Sequence, residues 1–79
     1  NFDHVIMNPP FHKEKQFKLS MGLYFIKSAK KILSKKGTLW MVFNKELSYE
    51  KSINDLFPKY EYIDITEHYK IIKAKNSLN

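Results

Sequence analysis

Asn8-Pro9-Pro10-Phe11 is the stretch of this chain with the most chemistry in it. Each proline fixes its own φ at about −65° and pushes the residue before it out of the α region, so Asn8 and Pro9 are both held extended or in a turn. The backbone is therefore stiff where it presents a neutral amide, a carbonyl and a phenyl ring. The Asn8 side-chain oxygen and the Pro9 carbonyl are two hydrogen-bond acceptors, enough to hold both N–H groups of one amine. An exocyclic amine on a nucleobase is a poor nucleophile, because its lone pair is delocalised into the ring. Held by two acceptors, the nitrogen is biased towards a pyramidal shape, and positive charge developing on it meets dipoles already in place. No strong base is needed. Phe11 can stack on the flat face of such a base, a contact worth ~1–3 kcal/mol. The plain alternative is a turn that simply ends a strand.

Other polar residues carry weaker signals. His12 follows Phe11 and either touches a ligand or faces solvent. Asn44 follows an apolar run and is either a pocket residue or a strand-end cap. His4 and His68 have no acidic or metal-binding partner at useful spacing, and the chain has no cysteine, so no metal site is expected.

The elements that must position these residues can be read from periodicity. Phe2 to Met7 is a short apolar run, expected to be a mostly buried, central, parallel strand that ends at the proline pair. From about Leu19 the period becomes helical: Leu19, Gly22, Leu23, Ile26, Ala29 and Leu33 fall on one face, with Phe25 and Ile32 flanking it. Lys30, Lys31, Lys35 and Lys36 suit the negative end of that helix, and Gly37 is placed to supply a left-handed cap, so the helix is expected to end near Ser34 to Lys36. Thr38 to Phe43 reads as a strand buried on both faces. Ser48 is positioned to N-cap a short helix with Glu50 in its first turn and Ile53, Leu56 and Phe57 on its apolar face, stopped by Pro58. Tyr60 to Thr66 and Tyr69 to Ala74 are two strands so close in sequence that they must form an antiparallel hairpin. The order β-α-β-α-β-β implies an α/β fold with right-handed parallel crossovers and an antiparallel end. Ligands in such sheets bind beyond the carboxyl ends of the strands, where Asn8 and Asn44 both lie.

Composition narrows the classes further. The 79 residues allow one compact core at most, and 43% hydrophobic content argues against disorder. No apolar run approaches the ~20 residues of a membrane span. Lysine supplies all the basic residues but histidine, and the formal charge of +6 raises the odds of a polyanionic partner such as RNA. Biased codon usage accounts for heavy lysine content equally well. The chain opens on Asn1 and enters a strand at once, which reads as a fragment or a processed product.

The element order and the motif together resemble the class I S-adenosylmethionine-dependent methyltransferases. Asn-Pro-Pro-aromatic after a strand is their amino-methyltransferase signature. With His12 following Phe11, it is similar to the bacterial ribosomal RNA guanine-N2 methyltransferases of the small-subunit and large-subunit types. Supporting positions are Gly37-x-Leu39-x-x-Val42-x-Asn44, Leu47-x-Tyr49 and Tyr69-Lys70. The resemblance covers essentially the whole chain.

It implies that residues 1–75 are the C-terminal, acceptor-site half of a Rossmann-like sheet, followed by a frayed tail at 76–79. It implies Asn8 and Pro9 as catalytic groups, Pro10, Phe11, His12 and Asn44 as substrate-binding, and Asn8 in partial contact with S-adenosylmethionine. The expected partner is ribosomal RNA or a ribosomal subunit, with no membrane or metal, in the cytoplasm. Adenine-N6 and protein-glutamine methylation share the same amine-holding logic, although the glutamine enzymes typically carry Tyr where Phe11 stands. The fold normally holds its cofactor on a Gly-rich turn, and Gly22 and Gly37 are the only glycines here. Weak cofactor binding by the chain alone is therefore expected, with a non-catalytic remnant or basic RNA-binding module as the other class of reading. The first strand, short of a neighbour, is expected to be an apolar edge prone to self-association.

Overall fold

The computed structural model describes residues 1–8 and 15–78. Six elements follow one another: β1 (Phe2–Met7), α1 (Lys15–Ile32), β2 (Leu33–Asn44), α2 (Glu50–Leu56), β3 (Lys59–Ile65) and β4 (Tyr69–Lys75). The four strands form one sheet in the order β1-β2-β4-β3. β1 runs parallel to β2, whereas β4 is antiparallel to both β2 and β3. The α/β class, the parallel crossover and the antiparallel hairpin are as the periodicity predicts.

One face of the sheet supplies the core. Leu39, Met41 and Phe43 alternate along β2 and are fully buried, as are Ile72 and Ala74 on β4. Ile26 and Ala29 of α1 and Ile53 of α2 close over them. Each of the leucine, isoleucine, methionine and phenylalanine side chains among them contributes about 1.5–3 kcal/mol on leaving water, which fixes β2 as the anchor of the sheet. The opposite face differs from expectation. Trp40, Val42 and Asn44 are only half-buried, because both helices pack on the same side and leave the other face of β2 without a helix.

β1 is likewise less buried than its apolar sequence suggests. Ile6 is 78% exposed and Phe2 57%, while Met7 is buried against the core. β1 stands at one edge of the sheet and is not central.

Three local expectations are corrected. α1 ends at Ile32 and passes straight into β2, and Gly37 does not cap it: among the described residues no glycine has a positive φ. Instead the ladder pairs Phe2 with Leu33 and then His4 with Thr38, so five steps of β2 (33 to 38) match two of β1 (2 to 4) and residues 34–37 bulge outward. Glycine is needed in that bulge for closeness, since a Cβ at residue 37 would lie 2.7 Å from Leu33 Cδ2 and 2.9 Å from the Phe2 carbonyl oxygen. Asn76, the first residue of the segment expected to fray, is anchored. Asn76 donates its backbone N–H to the Gly37 carbonyl (2.9 Å) and its side-chain amide to the Ser34 carbonyl (2.9 Å), and Lys30 Nζ donates to Asn76 Oδ1. Finally, Ser48 does not cap α2; the N-cap position is Tyr49, with no side-chain capping bond, and Ser48 is exposed. Burial of the Tyr49 ring, fully enclosed, decides where the helix starts.

That ring explains the glycine inside α1. A Cβ at Gly22 would sit 2.3 Å from the Tyr49 ring and hydroxyl. In an unconstrained helix Gly→Ala is stabilising by about 1 kcal/mol. Here overpacking of ~1–3 kcal/mol should win. Gly22→Ala is expected to lower the midpoint of thermal or urea unfolding, and a rise in that midpoint would remove the packing role assigned to Tyr49.

Candidate functional site

Asn8 follows β1 directly and is exposed, and Asn44 is the last residue of β2. Met7 pairs with Met41 in the parallel ladder, so the chain leaves both strands at the same end of the sheet. Adjacent strands lie ~4.8 Å apart. The fold thus brings two asparagines that are far apart in sequence to one rim. Pro9, Pro10, Phe11 and His12 lie outside the described residues.

The rim is shaped by hydrogen bonds around Asn44. Its side-chain oxygen accepts the Glu46 backbone N–H at 2.9 Å, and its carbonyl accepts the Leu47 N–H at 3.0 Å. Across the sheet, the Lys45 N–H donates to the His68 carbonyl at 2.8 Å, and Asn44 pairs with Tyr69 of β4. Of the two readings of Asn44, strand-end capping therefore has a direct geometric counterpart.

Beneath this rim lies a polar lock that the sequence reading did not assemble. Glu50, the first residue of α2, accepts two hydrogen bonds at Oε2: from Lys70 Nζ at 2.5 Å and from the Tyr62 hydroxyl at 2.8 Å. The Glu50 and Lys70 side chains are only 18% and 16% exposed, so the pair is weakly screened. The Lys70 ammonium also lies 5.5 Å from the centroid of Phe43, whose ring meets Tyr49 edge-on at 5.1 Å. Three elements, α2, β3 and β4, are thereby tied to the end of β2. Lys70 and Tyr49 carry family signal in the sequence and Glu50 reads as a first-turn acid, but nothing local joins residues twenty apart.

Charge on this lock follows from its partners. Burial pushes the Glu50 carboxyl up, but the hydrogen bonds from Lys70 and Tyr62 outweigh it and hold the group below its ordinary value. The Tyr62 hydroxyl, donating to that carboxylate, is pushed up to about 12. Burial likewise raises the Tyr49 hydroxyl. Among the described residues no group of three or more His, Cys, Asp or Glu could hold a metal ion, and no helix is long and apolar enough to cross a membrane.

Gly22 is inside α1 and Gly37 inside β2, both packed against neighbours, so neither belongs to a Gly-rich turn.

Comparison with known proteins places the chain. The sequence pattern of the methyltransferase small domain matches residues 1–73, and the chain belongs to that family. It is similar to the ribosomal RNA small subunit methyltransferase C of Buchnera aphidicola subsp. Baizongia pistaciae, 38% identical over 74 residues, covering 94% of this chain and 23% of that protein. The ribosomal RNA large subunit methyltransferase G of Pseudoalteromonas atlantica is 33% identical over 72 residues, covering 91% of this chain and 19% of that one. Among solved structures, the T. thermophilus 16S rRNA N2 G1207 methyltransferase in complex with AdoMet and guanosine superposes with a TM-score of 0.82 at 28% identity, over 96% of this chain and 20% of that one. The chain therefore spans about a fifth to a quarter of the length of these relatives.

The lock gives a pH signature. Because the Glu50 carboxyl is held low in the fold, its contribution to stability is complete above its ordinary value of 4.5 and lost as pH falls through the lowered one. Tyr62 runs the other way: its contribution is complete below its ordinary value of 10.0 and lost as pH rises towards about 12. Glu50→Gln should flatten the acid limb of a plot of melting temperature against pH, and Tyr62→Phe the alkaline limb. Lys70→Met, which leaves the carboxylate without its cation, should destabilise by about 3 kcal/mol at neutral pH in urea unfolding. Unchanged limbs would show that the lock does not hold in solution.

Proposed function

We propose that this chain is the acceptor-site portion of an enzyme that methylates the exocyclic N2 amine of a guanine in ribosomal RNA. The observation that carries the reading is the parallel β1–β2 ladder, which brings the chain out at Asn8 on the same end of the sheet as Asn44, the carboxyl edge where ligands bind in open α/β folds. The rRNA methyltransferase relatives and the guanosine-bound neighbour support the same assignment.

In this mechanism the Asn8 amide oxygen and the Pro9 carbonyl accept the two N–H groups of the guanine amine and hold its nitrogen pyramidal. They also stabilise positive charge as it develops there. Pro10 keeps the segment extended, Phe11 stacks on the extruded base, and His12 and Asn44 line the substrate side. S-adenosylmethionine is the methyl source that this reading implies. Ribosomal RNA or a ribosomal subunit is the partner, which puts the reaction in the cytoplasm.

Transfer of tritiated methyl groups to ribosomal subunits by the protein carrying this chain tests the clamp. Asn8→Ala is expected to lower the rate on the order of 100-fold, the usual cost of one preorganised hydrogen-bonding group, with N2-methylguanosine as the wild-type product. Undiminished transfer would remove the role given to that side chain, and a methylated adenine or glutamine would redirect the substrate.

A second reading, a non-catalytic RNA-binding module, is favoured by one observation: neither glycine lies in a cofactor-binding turn. Calorimetric titration of the 79-residue chain with S-adenosylmethionine is expected to show no saturable binding. The exposed apolar edge of β1 supports self-association of the isolated chain, which Ile6→Lys should weaken in sedimentation velocity.

A further inference from the structure

The helix-free face of the sheet carries a charge arrangement that strand pairing disfavours. Lys59 and Lys75 stand directly opposite one another in the β3–β4 ladder. Like charges at that position repel and destabilise the pair. Among the described residues no carboxylate forms an ion pair with either lysine. Lys73, two residues before Lys75, shares their face; its ammonium lies 5.2 Å from the centroid of Trp40. These three lysines, with Tyr60 and Glu61, line a cavity of about 130 Å³. Three ammonium groups against one carboxylate leave 3 − 1 = +2 in a single depression.

A local arrangement that costs stability persists where something else offsets it. An anion between the lysines would do so, and a phosphate accepts charge-assisted hydrogen bonds from several ammonium groups at once. We infer that the cavity between Lys59, Lys73 and Lys75 binds a backbone phosphate of the RNA, as a second anchor remote from the acceptor residues. This rests on the RNA reading above.

The placement suits that role. Lys75 pairs with Thr38 and Tyr69 with Asn44, so the cavity and the acceptor rim are separated by 44 − 38 = 6 residues of β2. At ~3.3 Å per residue this is about 20 Å, or roughly six stacked nucleotides at ~3.4 Å each. A phosphate fixed there would set the register of a strand whose target base is offered at the other end, without reading its sequence.

Trp40 is the only tryptophan in the chain, so its emission reports on Lys73 directly. The wild-type chain is titrated with a single-stranded RNA of about twelve nucleotides, roughly twice the span just derived, and separately with inorganic pyrophosphate. Both are expected to change the emission saturably. Lys59→Gln/Lys75→Gln should weaken pyrophosphate binding about tenfold or more and reduce the slope of log K against log salt for RNA by about 0.7 for each phosphate no longer neutralised. The same double variant should melt at a higher temperature without ligand, because the cross-strand repulsion is gone. Lys35→Gln/Lys36→Gln, which removes equal charge from the bulge of β2, should leave pyrophosphate binding intact.

Wild-type RNA binding with an unchanged slope and affinity in Lys59→Gln/Lys75→Gln would overturn the site while leaving the RNA reading standing. Equal weakening in both double variants would mean diffuse charge and overturn it too. Pyrophosphate bound at the lysines without any RNA binding would overturn the RNA reading and the occupant named here. Polyglutamate competing as well as RNA would assign the cavity to an acidic protein instead.

Discussion

The parallel pairing of β1 with β2 is the constraint on which the rest depends. Val5, Ile6 and Met7 run in register with Leu39, Trp40 and Met41, and only a parallel register sends both chains out at the same end. An antiparallel pair would have put Asn8 and Asn44 at opposite ends of the sheet. A parallel pair needs a long crossover, and α1 supplies it while burying Ile26 and Ala29 against the face it crosses. The helix is thus both the connection that permits the ladder and the cover that stabilises it.

β2 carries more of the molecule than any other element. One face presents Leu39, Met41 and Phe43 to the helices, and its two edges pair with β1 and β4. Its last residue opens a tight loop held by the Asn44 side chain, and the lock of Glu50, Lys70 and Tyr62 sits just behind. Polar groups this poorly hydrated are costly unless satisfied, and Oε2 of the Glu50 carboxylate, which receives both an ammonium and a phenol, is a specific fastening for the start of α2, while Oε1 is buried without a hydrogen-bond partner. The rim is consequently backed by fixed neighbours.

Much of this was legible in the chain itself. The 3.6-residue spacing of Leu19, Gly22, Ile26 and Ala29 gives the core-facing stripe of α1, although Leu33, read on the same face, opens β2 instead, and Pro58 ends α2 as its fixed ring requires. The hairpin of β3 and β4 was forced by a connection too short for any crossover. Burial was harder to read, because the apolar sequence of β1 is the same whether or not a neighbour covers it. Gly37 misled for a related reason: glycine serves both positive φ and close approach, and only the bulge opposite Phe2 shows that closeness is the need.

By itself, the sequence determined the order of elements, the stiff Asn8-Pro9-Pro10-Phe11 segment after a strand and membership of a methyltransferase family, since periodicity, proline geometry and motif are all local properties. Tertiary structure alone decided that both helices share one face of the sheet, that Glu50 meets Lys70 and Tyr62, and that Lys59 faces Lys75 across a cavity. Those contacts join residues 12 to 20 positions apart, and their partners are chosen by strand register and by which face is left to water.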